Sequence, residues 1–355
     1  NTAVLFLTTS VVLMALLLGL VKPIVSIMST PEQAVSGTIA YLTVCFIGIP
    51  CITAYNIISS IFRGLGDSKS PMYFIAIACV ANIVLDYVFI GALHLGAVGA
   101  ALGTTLSQCL SVIIAFFVIC TKNTGISLRK SDWKPRREAM GRILKIGIPI
   151  ALQDGLIQIA FLIITVIANR RGLSDAAAVG IVEKIISFLF LVPSSMLSTI
   201  SALGAQNIGA GKPQRAIQVL RCGICITVSF GIITALTIQF IAPSVVGLFT
   251  ADAAVIVFGS QYLRGYILDC IFAGIHFSFS GYFCACGRSE FSFLHNIVSI
   301  ALVRVPGVYL TSILFPNTLF PMGLATTSGS LLSVAICLLV FRHLKKKGFD
   351  KICSG

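Results

Sequence analysis

Asn82 and Asp86 lie four residues apart near the middle of an apolar run covering 71–93. That spacing sets an amide and a carboxylate on one face of a helix. An ionisable group at membrane depth costs about 3 kcal/mol or more unless paired or hydrated, so it is a functional candidate by default. The carboxylate can hold Na⁺ through its oxygens or carry a proton, with Asn82 adding a carbonyl or an amide to the same site. The competing reading is a buried acid satisfied by neighbouring hydroxyls. Further along, Glu183 and Lys184 are adjacent, so they point about 100° apart and make a poor ion pair with each other. One of them faces the interior, and the other snorkels or pairs elsewhere. Arg304 precedes Val305-Pro306, which predicts a kink and requires an acceptor for the guanidinium. Gln153 and Gln158 can hydrogen-bond a ligand, and Glu183, Lys184 and Arg304 join them as candidate substrate contacts. His94 and His276 have no His, Cys or carboxylate at metal-ligand spacing. Cys284-x-Cys286 has no second pair. There is no His-Glu-x-x-His and no nucleophile–base pair, so the chain reads as a non-enzyme without a cofactor beyond a coupling ion.

The elements that position these residues are helices crossing a membrane. Of 355 residues, 57% are hydrophobic and 10% are charged, and the mean hydropathy is +1.01. Soluble domains carry about 25% charged residues. Ten apolar runs of bilayer-spanning length are predicted, at about 3–28, 37–61, 71–93, 96–120, 143–168, 175–205, 216–248, 255–283, 290–315 and 320–341. They are continuous rather than alternating, which predicts helices and not barrel strands. The net charge of +13 invites a nucleic-acid reading, but its placement opposes one. In alternate loops, 19 of the 25 Lys and Arg fall on one side. This positive-inside bias places both ends of the chain in the cytoplasm, and the expected location is the plasma (inner) membrane. The twelve cysteines are scattered through apolar runs and read as small packing residues in a reducing compartment.

The chain repeats itself. Ala15-Leu16 and Pro23 to Thr30 recur as Ala235-Leu236 and Pro243 to Thr250. Phe62 to Ser68 aligns with Phe283 to Ser289, and Gly99 to Ala101 with Gly323 to Ala325. Duplicated helical bundles are common among secondary transporters. The predicted organisation is a four-helix lobe at 1–120, a basic linker at 121–142 and a six-helix lobe at 143–342. A basic tail occupies 343–355. The linker carries the only tryptophan, Trp133, and fits a segment lying on anionic lipid or a solvated connector. Helices five and six have no repeat partner, and Asn1 aligns with the start of a helix near Val219. The expectation is therefore about 70 further residues upstream carrying two helices, making six plus six.

Several local motifs resemble the multidrug and toxic compound extrusion (MATE) transporters. They are Gly147-Ile148-Pro149, Gln206-Asn207-x-Gly209-Ala210-Gly211 with Arg215-Ala216, and Arg63-Gly64-x-Gly66-Asp67 with Pro71. Asn82-Ile83-x-Leu85-Asp86 and Leu95-Gly96-x-x-Gly99-Ala100-Ala101 complete the series. The resemblance implies an all-α polytopic membrane protein of two pseudo-symmetric lobes, with ten of twelve helices present. It also implies alternating-access exchange of H⁺ or Na⁺ for small organic, often cationic and amphipathic, compounds. It assigns Asn82 and Asp86 to a cation site in the first lobe, a metal site only if Na⁺ is the coupling ion. The carboxylates that other members carry in the second lobe fall at Ile157 and Ala273, so that site is expected to be absent; Asp154 and Asp269 lie about one turn away. A lipid or oligosaccharide-lipid flippase, and a shortened chain that transports nothing, are the alternatives. The expected partners are small organic substrates and membrane lipids, with no nucleic acid, and the expected state is a monomer.

Overall fold

The computed structural model describes residues 2–27, 32–121 and 136–346. Among them there is no strand. The elements are α1 (Thr2–Ile27), α2 (Glu32–Ile47), α3 (Ile49–Gly64), α4 (Lys69–Asp86), α5 (Gly96–Thr121), α6 (Arg137–Asn169) and α7 (Leu173–Leu189). Then come α8 (Leu191–Gly209), α9 (Pro213–Gly247), α10 (Ala253–Tyr266), α11 (Asp269–Ala285), α12 (Glu290–Ser299), α13 (Val305–Leu314) and α14 (Phe320–Lys346). A π-helical turn, Tyr87–Ala92, continues α4, and another, Ile300–Arg304, joins α12 to α13.

Among the described residues, nine spans are long and apolar enough to cross a bilayer, and the bent pair α10–α11 makes a tenth. The ten predicted runs coincide with these spans to within a few residues. The protein is therefore a multi-pass helical membrane protein. Helix α2 meets α3 at Gly48, just before Pro50, where the missing N–H at the first helical turn is harmless. The chain divides into two compact units, Asn1–Ile143 and Leu144–Gly355. The predicted linker with Trp133, and most of the predicted basic tail, lie outside the described residues.

In the first unit α5 packs against α4, α3 and α2. Phe62 and Phe74 meet edge to face at 5.6 Å, and Tyr55 Oη donates to the Pro71 carbonyl at 3.2 Å. The Arg63–Pro71 segment is a sharp helical hairpin between α3 and α4. Gly66 has φ of 88°, and Asp67 Oδ1 accepts from the Lys69 and Ser70 amides at 3.1 and 3.0 Å.

The second unit has the larger core, built of Ile164, Val182, Ile186, Tyr262, Tyr266 and their neighbours. Helices α10 and α14 touch backbone to backbone. A Cβ on Gly323 would lie 2.5 Å from the Tyr262 carbonyl, and one on Gly265 would lie 2.5 Å from the Phe320 carbonyl. Small residues at helix crossings are what close approach in lipid demands, because apolar burial alone does not drive such association. At one end Arg171 pairs with Asp175 at 2.7 Å. It also donates to the carbonyls of Ser312, Phe315, Pro316 and Thr318.

The sequence repeat is visible in hydrogen bonds. In the first unit Gly66 N donates to Arg63 O at 3.1 Å and Asp67 N to Phe62 O at 2.9 Å. At the aligned turn of the second unit, Gly287 N donates to Cys284 O at 3.0 Å and Arg288 N to Phe283 O at 2.9 Å. Gly287 also adopts positive φ, at 69°. The two seven-residue stretches share only Phe, Gly and Ser, at positions 62/283, 66/287 and 68/289, and close the same turn the same way.

Candidate functional site

In the first unit Asp86 is the last α-helical residue of α4, and Asn82 lies one turn before it. The chain then widens by one residue per turn: Leu93 N donates to Val88 O at 2.9 Å, five residues back. Wide turns of this kind occur mostly as single interruptions and cluster at functional sites. Helix α5 presents Gly103 opposite the pair. A Cβ at that position would overlap Asp86 Oδ1 and would lie 3.4 Å from Asn82 Nδ2. Glycine thus leaves the space in which the carboxylate lies against the neighbouring helix. Asp86 Oδ1 and Asn82 Nδ2 are both shielded from solvent, and neither has a hydrogen-bond partner among the described residues. Buried polar atoms are nearly always paired, so a buried carboxylate oxygen beside an unpaired amide is a place to receive an ion, a proton or water. Six residues further along α5, Cys109 Sγ lies 2.7 Å from Cys51 Sγ of α3. No carboxylate, Cys or His cluster of three or more that could hold a metal ion occurs among the described residues. The donors available to a cation here are oxygens, which suits a proton or Na⁺ rather than a transition metal.

The second unit carries a different polar interior. Arg304 ends its π-helical turn and is 8% exposed; Asp269, opening α11, is fully buried. Arg304 Nη2 donates to Asp269 Oδ2 at 3.4 Å and to Tyr266 Oη at 2.7 Å. Its guanidinium also lies over the rings of Phe161 and Tyr266, at 5.6 and 5.7 Å. The acceptor that Arg304 requires is present, and a π-helical turn stands immediately before Val305-Pro306. Glu183 turns inward on α7, where Oε2 accepts from Thr165 Oγ1 of α6 at 3.3 Å. Its Oε1 is buried with no partner among the described residues. Lys184, the next residue, is exposed, so the two diverge as adjacent helical residues must. Gln153 is 3% exposed, whereas Asp154 and Gln158 beside it are exposed. Ala273, where the resemblance would place a carboxylate, is fully buried.

Sequence reasoning passed over one pair. His276 of α11 and His295 of α12 face each other edge to face, with ring centroids 5.5 Å apart. His295 Nε2 shares a hydrogen bond with Ser280 Oγ at 2.9 Å, while both Nδ1 atoms lack partners among the described residues. The two histidines are 19 positions apart on successive helices, a separation that no within-helix spacing rule detects.

The MatE family model matches residues 1–88 and 149–310. "Probable multidrug resistance protein YpnP" of Bacillus subtilis is 30% identical over 287 residues, covering 81% of this chain and 64% of that protein. "Multidrug export protein MepA" of Staphylococcus haemolyticus is 26% identical over 315 residues, covering 88% of this chain and 69% of that one. The chain thus spans about two thirds of the length of these relatives. A crystal structure of MATE in complex with MaL6 superposes with a TM-score of 0.89, at 24% identity, over 97% of this chain and 78% of that one. At that identity the likeness speaks to the fold.

Proposed function

This chain belongs to the MatE family of membrane transporters, and from that premise we propose that it exports small organic compounds by secondary active transport. The exchange is alternating access, driven by H⁺ or Na⁺ entering at Asp86 and Asn82, with no other cofactor. Among the expected substrates are amphipathic organic cations. The names carried by the Bacillus and Staphylococcus relatives support efflux of several compounds.

One observation carries the coupling assignment: Asp86 Oδ1 and Asn82 Nδ2 are buried and unpaired against Gly103, at the start of a π-helical turn. For the gradient to do work, ion occupancy must change the relative affinity of the two access states for the organic compound. A carboxylate held between two helices can do this, because its charge alters what those helices tolerate between them. In the second unit Glu183 is the proposed contact for a cationic compound, since one of its oxygens is unengaged. Lys184, Gln153 and Gln158 remain secondary candidates, and Arg304 acts by holding Asp269. The proposed orientation puts the basic loops in the cytoplasm, in a plasma membrane, and the proposed functional unit is a monomer.

The test is the Asp86→Asn variant of the intact transporter in liposomes. Asn keeps the size and removes the charge. Ethidium efflux driven by an imposed H⁺ or Na⁺ gradient should vanish, while membrane insertion and gradient-independent ethidium binding persist. Gradient-driven efflux at the unsubstituted rate would remove Asp86 from the mechanism.

A further inference from the structure

Between α8 and α9 of the second unit runs an open groove of about 380 Å³. Its walls are apolar along most of their length, with Met196, Leu203 and Ile226 among them, and polar at one end, where Arg215, Gln218 and Asn207 stand. The two helices run in opposite directions, and the groove covers matching lengths of each. From Arg215 to Ile226 is eleven residues, and so is the distance from Asn207 back to Met196. At 1.5 Å per residue each wall is about 16 Å long. Half the hydrocarbon thickness of a bilayer is about 15 Å, so the groove is the depth of a single leaflet.

The polar end is furnished for an anion. Arg215 and Gln218 are exposed, and neither side chain has a hydrogen-bond partner among the described residues. Asn207, by contrast, already donates to the Leu203 carbonyl at 2.7 Å. Lys212 precedes α9 and Pro213 opens it, so a further cation and the positive end of the helix face the same level. An unpaired guanidinium with five donors recognises a phosphate in bidentate fashion, and the apolar channel below it accommodates a hydrocarbon chain. We infer that this groove is a binding site for one anionic phospholipid of the leaflet on the basic side. Its phosphate contacts Arg215 and Gln218, and one acyl chain lies along Met196, Leu203 and Ile226.

Charge at one end and apolar length at the other must both matter, and two substitutions separate them. Arg215→Ala removes the phosphate contact, and Ile226→Trp fills the channel; both positions are exposed, so the fold tolerates each. The intact protein is transferred to detergent and titrated with phosphatidylglycerol, with phosphatidylcholine of the same chains, and with glycerol phosphate. Bound molecules are counted by native mass spectrometry. The expected result is one tightly retained phosphatidylglycerol. Arg215→Ala should weaken it about five-fold, as one basic residue near a lipid surface is worth, and Arg215→Lys, which keeps the charge but not the paired donors, should recover only part of it. Ile226→Trp should abolish retention, and glycerol phosphate alone should not bind. Equal retention of both lipids, or unchanged phosphatidylglycerol binding in either variant, overturns the assignment. So does a mass equal to two chains with no lipid, which would make the groove a contact between copies. Loss of transport in Asp86→Asn with lipid retention intact keeps this inference separate from the coupling site.

Discussion

Removing the acid of the Arg304–Asp269 pair should be among the most damaging single changes in the second unit. The ion pair is 3.4 Å long and Asp269 is fully buried. At that separation and an effective dielectric constant of about 20, the attraction lost is about 5 kcal/mol. Breaking a buried pair by deleting one partner typically costs about 3–5 kcal/mol, because the surviving charge is left without compensation. Tyr266 Oη and the two aromatic rings still hold the guanidinium in Asp269→Ala, which places the expected loss near the lower end, at about 3 kcal/mol. With about 2–4 °C per kcal/mol for a unit of this size, Tm should fall by roughly 10 °C. Cys270 and Cys337 are fully buried, so a thiol-reactive fluorophore reports the opening of this unit on heating. The double variant Asp269→Ala/Arg304→Met removes both charges and should recover most of the loss, since replacing a whole buried pair by apolar groups is often neutral. Glu290, whose side chain is 44% exposed and pairs with Arg288 in the same unit, is the control; Glu290→Gln should shift Tm by under about 2 °C. A fall of less than 2 °C in Asp269→Ala, or a double variant less stable than the single one, would refute the reasoning.

Gly103→Ala leaves Asp86 chemically unchanged but places a methyl group where Oδ1 lies. Gradient-driven ethidium efflux should fall at least ten-fold (about 1.4 kcal/mol) with expression unaltered, and normal efflux would show that the carboxylate does not need that space. Copper-phenanthroline oxidation should join Cys51 to Cys109, giving a cross-linked peptide by mass spectrometry; persistent free thiols at both positions would contradict the packing of α3 on α5. Gly323→Leu forces α14 away from the Tyr262 and Tyr266 backbone and should cost about 1–3 kcal/mol as overpacking, measured by the same thiol-dye melting; an unchanged Tm would mean the helices are not in contact there. Glu183→Gln keeps an acceptor for Thr165 and loses the charge, so it should weaken binding of ethidium without weakening that of a neutral substrate, and equal effects on both would assign Glu183 to structure alone.

The spans were legible because about 20 apolar residues are needed to cross a bilayer, and little else writes that pattern. The hairpin turns were legible because Gly66 and Gly287 stand where positive φ is required. Interruptions within spans were not. The run 255–283 reads as continuous, yet α10 and α11 meet at 41° around Ile267 and Leu268, with no Pro at the break. Its cause is tertiary: Gly265 is clamped against α14 on one side of the break, and buried Asp269 turns towards Arg304 on the other. Neither partner is near in sequence. The π-helical turn after Asp86 is equally silent, since Tyr87–Ala92 is as apolar as an ordinary helix. Asn82 and Asp86 were visible as a shared helix face, but their unpaired state depends on Gly103, which only the packing of α5 brings opposite them.

The two wide turns show how duplicated segments drift apart in role. In the first copy the wide turn follows an acid; in the second it ends on a base, at the level the repeat aligns with Asn82. Arg304 is answered within its own unit by Asp269, whereas Asp86 has no such answering cation among the described residues. The buried base of one copy is paired within its own unit, and the buried acid of the other is left open. Under the coupling role proposed for Asp86, the cycle takes its ion in the first unit, and the buried pair of the second serves to hold that unit together.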